Sequence, residues 1–335
     1  MSGGGSSSIS VEEKRRIVRY IMLNSPPGQT QEVLTDCRKL LQNDPEVLSE
    51  SALSEILAEH NEQKLLAVRL PQSNLPKGIV CRQGRLADRL YLEPRTKHVF
   101  EVAHITQTVA GSVTAAEPSQ LPTRAEPYRA ALDTAMDGYI ATHYYPDEQP
   151  LPTASGGTSG VAHAVYGVDE GKDAVTLHVV ISAKNQNLKN YWAGGWASQW
   201  SITFTPNQTT SAKLKGSASV LTHFFEEGNV QMHADNDMQA DIQPPDLKSA
   251  ESLSSAVAKA ISTLEGAFHQ SMEDKYAACA DRAFKSLRRT LPITMEKFDW
   301  SPLKHVIRKD LTERTHPQAT HATAAAPVAG GGKGT

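Results

Sequence analysis

The chain has 335 residues, of which 39% are hydrophobic and 21% are charged, and its formal net charge at pH 7 is -3. This composition is typical of globular proteins, and the negative charge argues against general nucleic-acid binding because phosphate contacts need a basic surface. No run approaches the roughly 20 apolar residues needed to span a bilayer, and the start lacks the basic and apolar parts of a secretory signal. We therefore expect a cytoplasmic protein that is not an integral membrane protein.

The residues that usually carry catalysis or bind metals form no recognisable motif. Cys37, Cys81 and Cys279 are widely spaced, which predicts neither a zinc site nor a disulfide framework. Nucleotide-binding and nucleophile-elbow fingerprints are absent from the sequence. Four histidines lie on predicted strands, and we interpret them as hydrogen-bonded sheet residues, with a metal cluster as the alternative: His163, His178, His223 and His233. The sequence predicts a protein that is not an enzyme and has no cofactor.

The N-terminal part reads as a disordered start, residues 1–9, followed by a helical stalk, residues 10–63. Ser10 is a plausible N-cap with Glu13 at the capping-box position. The predicted apolar face of this first helix consists of Ile17, Val18, Ile21 and Met22. Two further amphipathic segments, around Val33–Leu41 and Val47–Glu59, are joined by a turn at "QNDPE", so we predict three helices.

Residues 64–160 are predicted to form a mixed connecting region. The region is turn-rich, except for a helix in "EPYRAALDTAMDGYIATHYY", where Leu132, Met136 and Ile140 recur at four-residue spacing. Residues 146–160 have too little apolar content to pack and are interpreted as a surface insertion.

Residues 161–243 are predicted to form an antiparallel five-stranded sheet. "VTLHVVI" and "WASQWSITF" alternate apolar and polar residues, "VAHAVYGV" adds a strand before them, and two more strands flank Gly228. Short, turn-bounded links favour an antiparallel meander. Trp192, Trp196 and Trp200 are interpreted as core or interface packing, with a stacking platform for a base or sugar as the alternative.

Residues 244–291 are predicted to form one long helix. Their apolar residues recur at steps of three or four: Leu253, Val257, Ile261, Leu264, Phe268, Met272, Tyr276, Cys279, Ala283 and Leu287. Such a helix would be longer than a compact domain of this size is wide. Because soluble monomers seldom expose a long apolar stripe, we expect a partner chain to cover the remainder.

After the long helix, the sequence predicts a short amphipathic segment, residues 292–311, and a disordered tail, residues 312–335. Pro292 ends the helix, and Ser301 caps a second, short helix. Residues 285–310 contain seven basic and three acidic residues, a local charge of +4 in an acidic chain. This asymmetry indicates a docking site for an acidic partner.

Four blocks of the sequence resemble one known family, in the same order. They are "NSPPGQTQEVLTDCRKLLQND", "NYWAGGWASQWSITFTP", "HFFEEGNVQM" and "FKSLRRTLPITMEKFDW". They lie between residues 24 and 300 and resemble the alpha subunit of the heterodimeric F-actin capping protein (CapZ type), a resemblance that spans most of residues 10–311.

The resemblance implies an α+β fold with a three-helix stalk and a central antiparallel five-stranded sheet covered by one long C-terminal helix. The sheet would continue into that of a beta subunit, a partner favoured over a second copy of this chain, and a mobile amphipathic C-terminal "tentacle" would follow. It also implies calcium-independent binding to actin filament barbed ends, which blocks subunit addition and loss. Phosphoinositides are implied as further ligands, and the actin cytoskeleton as the location.

The resemblance also implies which residues contact actin. The basic positions of the family fall on Lys285 and Arg289, whereas a third is here Met295, for which Lys297 compensates in part. Pro302 departs from the family pattern. The full set of implied actin-binding residues is Lys285, Arg288, Arg289, Lys297, Trp300, Leu303, Lys304, Ile307 and Arg308. A non-capping interaction scaffold of the same fold is the alternative function.

Overall fold

The structure is a computed structural model. It describes residues 9–72, 75–144, 160–187, 191–206, 211–225, 230–243 and 249–278. The predictions for residues 1–8, for most of the insertion and for every residue after 278 lie outside the described residues. The α-helices are α1 (Val11–Leu23), α2 (Thr30–Leu40), α3 (Glu50–Gln63), α4 (Glu126–His143) and α5 (Ala250–Ala278). None of these described helices combines the length and apolarity that a bilayer crossing requires.

The first three helices form the predicted stalk. Ser10 caps α1 as predicted, since its side chain accepts a hydrogen bond from the Glu13 backbone N–H at 3.2 Å. The stalk has its own apolar core, which includes Val18, Met22, Leu34, Val47, Leu53 and Leu57. Half of the predicted apolar face of α1 is wrong, because Ile17 and Ile21 are 46% and 37% exposed. The buried face of α1 is instead centred on Val18 and Met22.

Six short strands occupy the region that was predicted to be mixed and turn-rich. β1 (Leu66–Val68) and β2 (Gly78–Val80) form a two-stranded antiparallel sheet. β3 (Arg85–Ala87), β4 (Leu90–Glu93), β5 (His98–Ala103) and β6 (Thr108–Ala115) form a four-stranded sheet in chain order. Tyr91 and Phe100 are fully buried in the core that joins these two sheets.

The large sheet has five antiparallel strands in the spatial order β11-β10-β9-β8-β7. Its strands are β7 (Gly160–Glu170), β8 (Ala174–Asn187), β9 (Trp192–Phe204), β10 (Ala212–Phe224) and β11 (Val230–Ile242). Residues that are paired across strands share a face, so Ser198 and Trp200 lie on one face, while Lys184 and Gly195 lie on the opposite face. We call these the helix face and the stalk face, because α5 covers the first and the end of the stalk packs on the second.

Arg95 joins three parts of the fold through charged contacts. It lies between β4 and β5, and its guanidinium donates to Asp133 at 2.7 Å and to Asp137 at 2.9 Å, both on α4. His163 on β7 contacts the same carboxylates at 3.5 and 3.4 Å. Burial acts to raise the pKa of Asp133, but hydrogen bonds from His163 and Arg95 outweigh it and lower the pKa to about 2.

The predicted α+β architecture is confirmed for the described residues: a three-helix stalk, a five-stranded antiparallel sheet and one long helix covering it. The predicted α4 is also present, and Leu132 and Met136 are fully buried in it. The chain divides into two compact units, Met1–Phe268 and His269–Thr335. In the second unit, the structure describes the last turns of α5.

Candidate functional site

All nine residues predicted to contact actin lie beyond residue 278, outside the described residues. The structure therefore does not test whether they are brought together. What it does describe is the helix that leads toward them and the way that helix is fixed to the sheet. These contacts, together with the edge strand β11, form the described part of the candidate site.

The buried face of α5 follows the apolar repeat of the sequence as far as Phe268. Leu253, Val257 and Ile261 have no exposed surface, and Phe268 is 6% exposed. The ring of Phe268 lies 5.7 Å from that of Trp196 on β9, measured between centroids. Farther along the helix Tyr276 is 40% exposed, so the predicted stripe is not buried along its whole described length.

A buried carboxylate lies within this apolar row. Glu265 is 3% exposed and accepts four hydrogen bonds. Its Oε2 accepts from the hydroxyls of Tyr139 at 2.6 Å and Tyr144 at 2.7 Å. Its Oε1 accepts from the Ser198 hydroxyl at 2.6 Å and from the Trp200 indole N–H at 3.1 Å. The carboxylate thus joins α5 to the end of α4 and to β9.

All four donors to Glu265 are neutral side chains, and among the described residues no Lys, Arg or His lies within ion-pair distance of it. Burial and the charge of Glu265 raise the pKa of Tyr139 and that of Tyr144 above their ordinary value. Both phenols therefore keep their protons and remain donors at physiological pH. A buried charge is tolerated here because each carboxylate oxygen has two donors.

Trp200 lies flat against the sheet because the residue opposite it on the neighbouring strand is a glycine, which leaves room for the indole ring. It is 2% exposed and pairs across the sheet with Gly216 on β10. A Cβ atom at Gly216 would overlap the indole ring and would lie 2.7 Å from the Gln199 carbonyl oxygen. Glycine at this position therefore lets Trp200 lie flat and present its N–H to Glu265. The prediction that Trp200 packs in the core is confirmed.

β11 is an edge strand over its whole length. It pairs with β10 across 13 positions, from Ala212 opposite Ile242 to Phe224 opposite Val230, and the described strands place no neighbour on its other side. Val230 and Met232 are 65% and 45% exposed. Among the described strands none pairs with the outer side of β11, which contains neither proline nor lysine, so this edge is a candidate for pairing with a further strand.

The histidines on the strands have structural contacts. His163 lies between the α4 carboxylates, His223 is buried with its ring 5.3 Å from that of Phe225, and His233 contacts Asp235 at 3.1 Å. Within the described ranges, no group of three or more histidine, cysteine, aspartate or glutamate residues is arranged to hold a metal ion.

Glu265 was not predicted from the sequence. A signal for it exists: Ile261, Glu265 and Phe268 follow one another at steps of four and three, which places the glutamate on the buried row. An ionisable residue on the apolar side of a helix indicates a specific partner for its charge.

Three comparisons with known proteins agree. The model of the family described as F-actin capping protein alpha subunit matches residues 18–310. The chain is 32% identical over 298 residues to the F-actin-capping protein subunit alpha of Arabidopsis thaliana, covering 88% of this chain and 90% of that protein. It is 30% identical over 298 residues to the protein of the same name from Dictyostelium discoideum, covering 88% of this chain and 96% of that protein.

A solved structure shows the same fold. The homodimeric actin capping protein alpha subunit from Plasmodium berghei matches with a TM-score of 0.63 and 20% sequence identity, covering 78% of this chain and 92% of that chain. The family match extends from the first stalk helix, through the sheet and α5, and into the region of the predicted actin contacts. The chain therefore belongs to the F-actin capping protein alpha subunit family.

Proposed function

We propose that the chain is the alpha subunit of a two-subunit complex that binds actin filament barbed ends and blocks subunit addition and loss, independently of calcium. Membership of the capping protein alpha family over residues 18–310 carries this proposal. The complex acts by binding and not by catalysis, in the cytoplasm at the actin cytoskeleton.

The edge strand β11 supports pairing with a second subunit. A partner strand that adds to β11 would extend the five-stranded sheet and satisfy the outer backbone groups of β11. The exposed side chains of Val230 and Met232 would be covered at the same time. We take the partner to be a beta subunit and not a second copy of this chain.

The contact with actin is assigned to the segment that follows α5. Basic residues, among them Lys285, Arg289 and Lys297, would steer and orient the encounter with acidic actin, since charges at the rim of an interface mainly set association rate and salt dependence. Burial of Trp300 and other apolar side chains would slow dissociation. The remaining members of this proposed contact are Arg288, Leu303, Lys304, Ile307 and Arg308. Phosphoinositides would bind the same basic residues and release the cap.

The test of capping uses the chain co-purified with a beta subunit and measures elongation of pyrene-labelled actin from seeds with free barbed ends. The double variant Lys285→Ala with Arg289→Ala removes two basic residues that are proposed to contact acidic actin. Half-inhibition of elongation is therefore expected to need at least about ten times more complex, which corresponds to a loss of about 1.4 kcal/mol of binding free energy. The matched control removes one arginine and one lysine from an exposed part of the stalk: Arg38→Ala with Lys39→Ala.

Three outcomes of this assay are distinguishable. Capping by the wild type that the stalk control retains and the double variant loses supports the proposal. Equal capping by the double variant means that these basic residues are not the contact. An intact wild-type complex that never slows elongation favours the alternative, a non-capping scaffold, for which Met295 in place of a basic residue is the sequence observation.

Pairing through β11 has its own test. Val230→Lys with Met232→Lys places two charges on the exposed edge, a feature that natural edge strands use against pairing. The dissociation constant of the complex, measured by analytical ultracentrifugation, is expected to rise at least about tenfold. An unchanged constant would exclude this edge as the interface, and self-association of the wild-type chain alone would favour a homodimer.

A further inference from the structure

A buried polar network joins the end of the stalk to the turn between β5 and β6. None of its members is more than 7% exposed: Ser25, Thr30, His60, Asn61, Tyr91, His104 and Gln107. Two of them are histidines, His60 on α3 and His104 in the turn. Histidine is the side chain that changes charge nearest to neutral pH, so the network depends on the protonation of these two rings. The proposed capping function does not involve it.

Asn61 lies at the centre of this network and has no exposed surface. Its Oδ1 accepts from the Gln107 side-chain amide at 2.8 Å and lies 3.2 Å from His60 Nδ1. Its Nδ2 donates to the His104 backbone carbonyl at 3.1 Å and lies 3.3 Å from His104 Nδ1. Both ends of the amide are therefore engaged, and most of these contacts lead from α3 to the turn between β5 and β6.

These contacts determine which nitrogen of each ring carries hydrogen. Asn61 Oδ1 can only accept, so His60 Nδ1 carries hydrogen and donates to it. Asn61 Nδ2 can only donate, so His104 Nδ1 carries no hydrogen and accepts from it. In a neutral ring the second nitrogen has the opposite role. Accordingly, His104 Nε2 faces the Tyr91 hydroxyl at 3.5 Å, and His60 Nε2 faces the Ser25 hydroxyl at 3.3 Å.

A proton added to His104 would disrupt this arrangement. It would bind Nδ1, directly opposite the N–H of Asn61, so that two donors would face each other. Turning the Asn61 amide around would place its Nδ2 against two other donors, His60 Nδ1 and Gln107 Nε2. Both of those side chains would then have to rearrange as well. The network therefore accepts a neutral His104 ring and opposes a charged one.

Charged groups from α3 and from the hairpin of β3 and β4 surround His104. Burial lowers the pKa of His104, and the charge of Arg89 acts in the same direction. A hydrogen bond to the backbone of Asp88 and the carboxylate of Glu62 oppose these effects. Glu62 is itself paired with Arg85, at 3.3 Å. The net result is a ring that stays neutral in the fold at neutral pH.

His60 keeps the Asn61 amide in its orientation over the same range of pH. Burial lowers the pKa of His60 to about 4; its hydrogen bond with Asn61 opposes this effect, and the charges of Lys184 and Lys64 add to it. His60 and Gln107 also line a cleft between the end of the stalk and the stalk face of the large sheet. The volume of this cleft is about 870 Å³, open solvent at its mouth included, so solvent approaches the network from this side.

We propose that this network is an acid-sensitive contact, in which neutral His104 holds the turn between β5 and β6 against the stalk and proton uptake by His104 releases that turn while the large sheet stays folded. A further link, from the Gln31 side-chain amide on α2 to the Ile105 carbonyl at 2.7 Å, has no titratable group. The released turn therefore remains attached to α2 at this point.

The direction of the pH effect follows from the two states of the ring. In the closed state the pKa of His104 is lowered, whereas a released ring titrates near the ordinary value of 6.5. The released state therefore binds more protons as the pH falls through this value, and its population increases. Between about pH 7.5 and pH 5.5, one such histidine raises the ratio of released to closed molecules up to about tenfold.

Hydrogen–deuterium exchange of the assembled two-subunit complex tests this contact. The reporter is the backbone N–H of Gln107, which donates to the Ala103 carbonyl at 2.8 Å within the turn. Peptides from β8 serve as the internal reference, since this strand has a neighbour on each side in the large sheet. After division by intrinsic exchange rates, exchange in the turn should increase about three- to tenfold relative to β8 between about pH 7.5 and pH 5.5.

Two variants assign this increase to His104. His104→Asn cannot titrate but keeps an acceptor for Asn61, because the asparagine Oδ1 can take the place of the imidazole Nδ1. The pH-dependent increase should therefore disappear in His104→Asn. The matched control is His269→Asn, which replaces a histidine on α5 whose side chain is 62% exposed and should leave the increase unchanged.

The outcomes separate this contact from a general effect of acid. An increase confined to the turn, lost in His104→Asn and kept in His269→Asn, supports the proposal. Equal exchange of the turn at both pH values in the wild type would overturn it, even if His104→Asn failed to fold. A parallel increase in β8 would also overturn it, because acid would then loosen the whole fold. None of these measurements depends on whether the complex caps actin filaments.

Discussion

On the helix face of the five-stranded sheet, Glu265 is buried to 3% exposure with two donors on each carboxylate oxygen. On the stalk face, Lys64 and Lys184 are half-buried at a cleft whose described wall has no carboxylate. Both faces carry charge away from bulk water, which is costly unless the charge is compensated. The first charge is compensated within the chain and fixes α5 in place. The second pair of charges lies at an open cleft, where both lysine side chains keep part of their surface in contact with water.

Removing the compensated charge should have the largest effect. Glu265→Ala leaves the hydroxyls of Tyr139, Tyr144 and Ser198 and the indole N–H of Trp200 without their acceptor. Each buried donor that loses its partner costs about 1 to 3 kcal/mol, so we expect the free energy of unfolding to fall by about 4 kcal/mol. Denaturation of the complex in urea, followed by circular dichroism, measures this loss.

The control for this variant is Glu273→Ala, on the same helix. Glu273 is exposed and contacts only His269, at 3.7 Å, among the described residues, so its removal should cost less than about 0.5 kcal/mol. If the two alanine variants unfold at the same urea concentration, the Glu265 network does not stabilise the fold. The comparison between the two faces would then fail.

The second-largest loss of stability is expected from a change that disturbs packing on the helix face. Gly216→Val adds a side chain where a Cβ already overlaps the Trp200 ring, so Trp200 must move away from Glu265. Overpacking of this kind costs about 1 to 3 kcal/mol, and we expect about 2 kcal/mol. The same denaturation measurement applies, and blue-shifted tryptophan emission should move toward longer wavelength if Trp200 becomes hydrated.

Gly194→Ala provides the matched change on the neighbouring strand. The nearest atom to a Cβ there lies 3.7 Å away, which is ordinary van der Waals contact, so stability should change by less than about 0.5 kcal/mol. A large loss with Gly194→Ala and none with Gly216→Val would mean that the close packing of Trp200 on Gly216 does not stabilise the fold.

The sequence predicts some elements of the fold and misses others. The alternation in β8 and β9 identifies the strands and their apolar side, and the spacing of Leu132, Met136 and Ile140 identifies α4. Six strands between residues 66 and 115 escaped prediction, and for β1, β2 and β3 the reason is that each has only three residues, too few to show alternation. In addition, all residues of β1 and β2 are buried.

The two charged clusters escaped prediction for another reason. The four donors to Glu265 are between 65 and 126 residues away along the chain. The cleft likewise combines a turn near Gly28 with Lys184 and with β10. Periodicity reports which face of its own element a residue lies on, whereas these clusters depend on which elements the fold brings together.

The resemblance to a family supplied the capping hypothesis, and the contacts of Lys285 and Arg289 with actin stay a prediction.

The smallest effect is expected on the stalk face, with the opposite sign. Lys184→Met removes a charge that burial and Lys64 disfavour, so the variant should be more stable than the wild type at pH 7, by about 1 kcal/mol after allowance for water in the open cleft. In the folded wild type the pKa of Lys184 is about 8, below its ordinary value of 10.5, so the unfolded chain binds more protons between these two values. The cost of the charge is therefore fully present below about pH 8 and disappears as the pH rises toward 10.5. The stability advantage of the variant, measured by urea denaturation across this range, should narrow accordingly. A variant less stable than the wild type at pH 7 would mean that the contacts of Lys184 contribute more to stability than the burial of its charge costs.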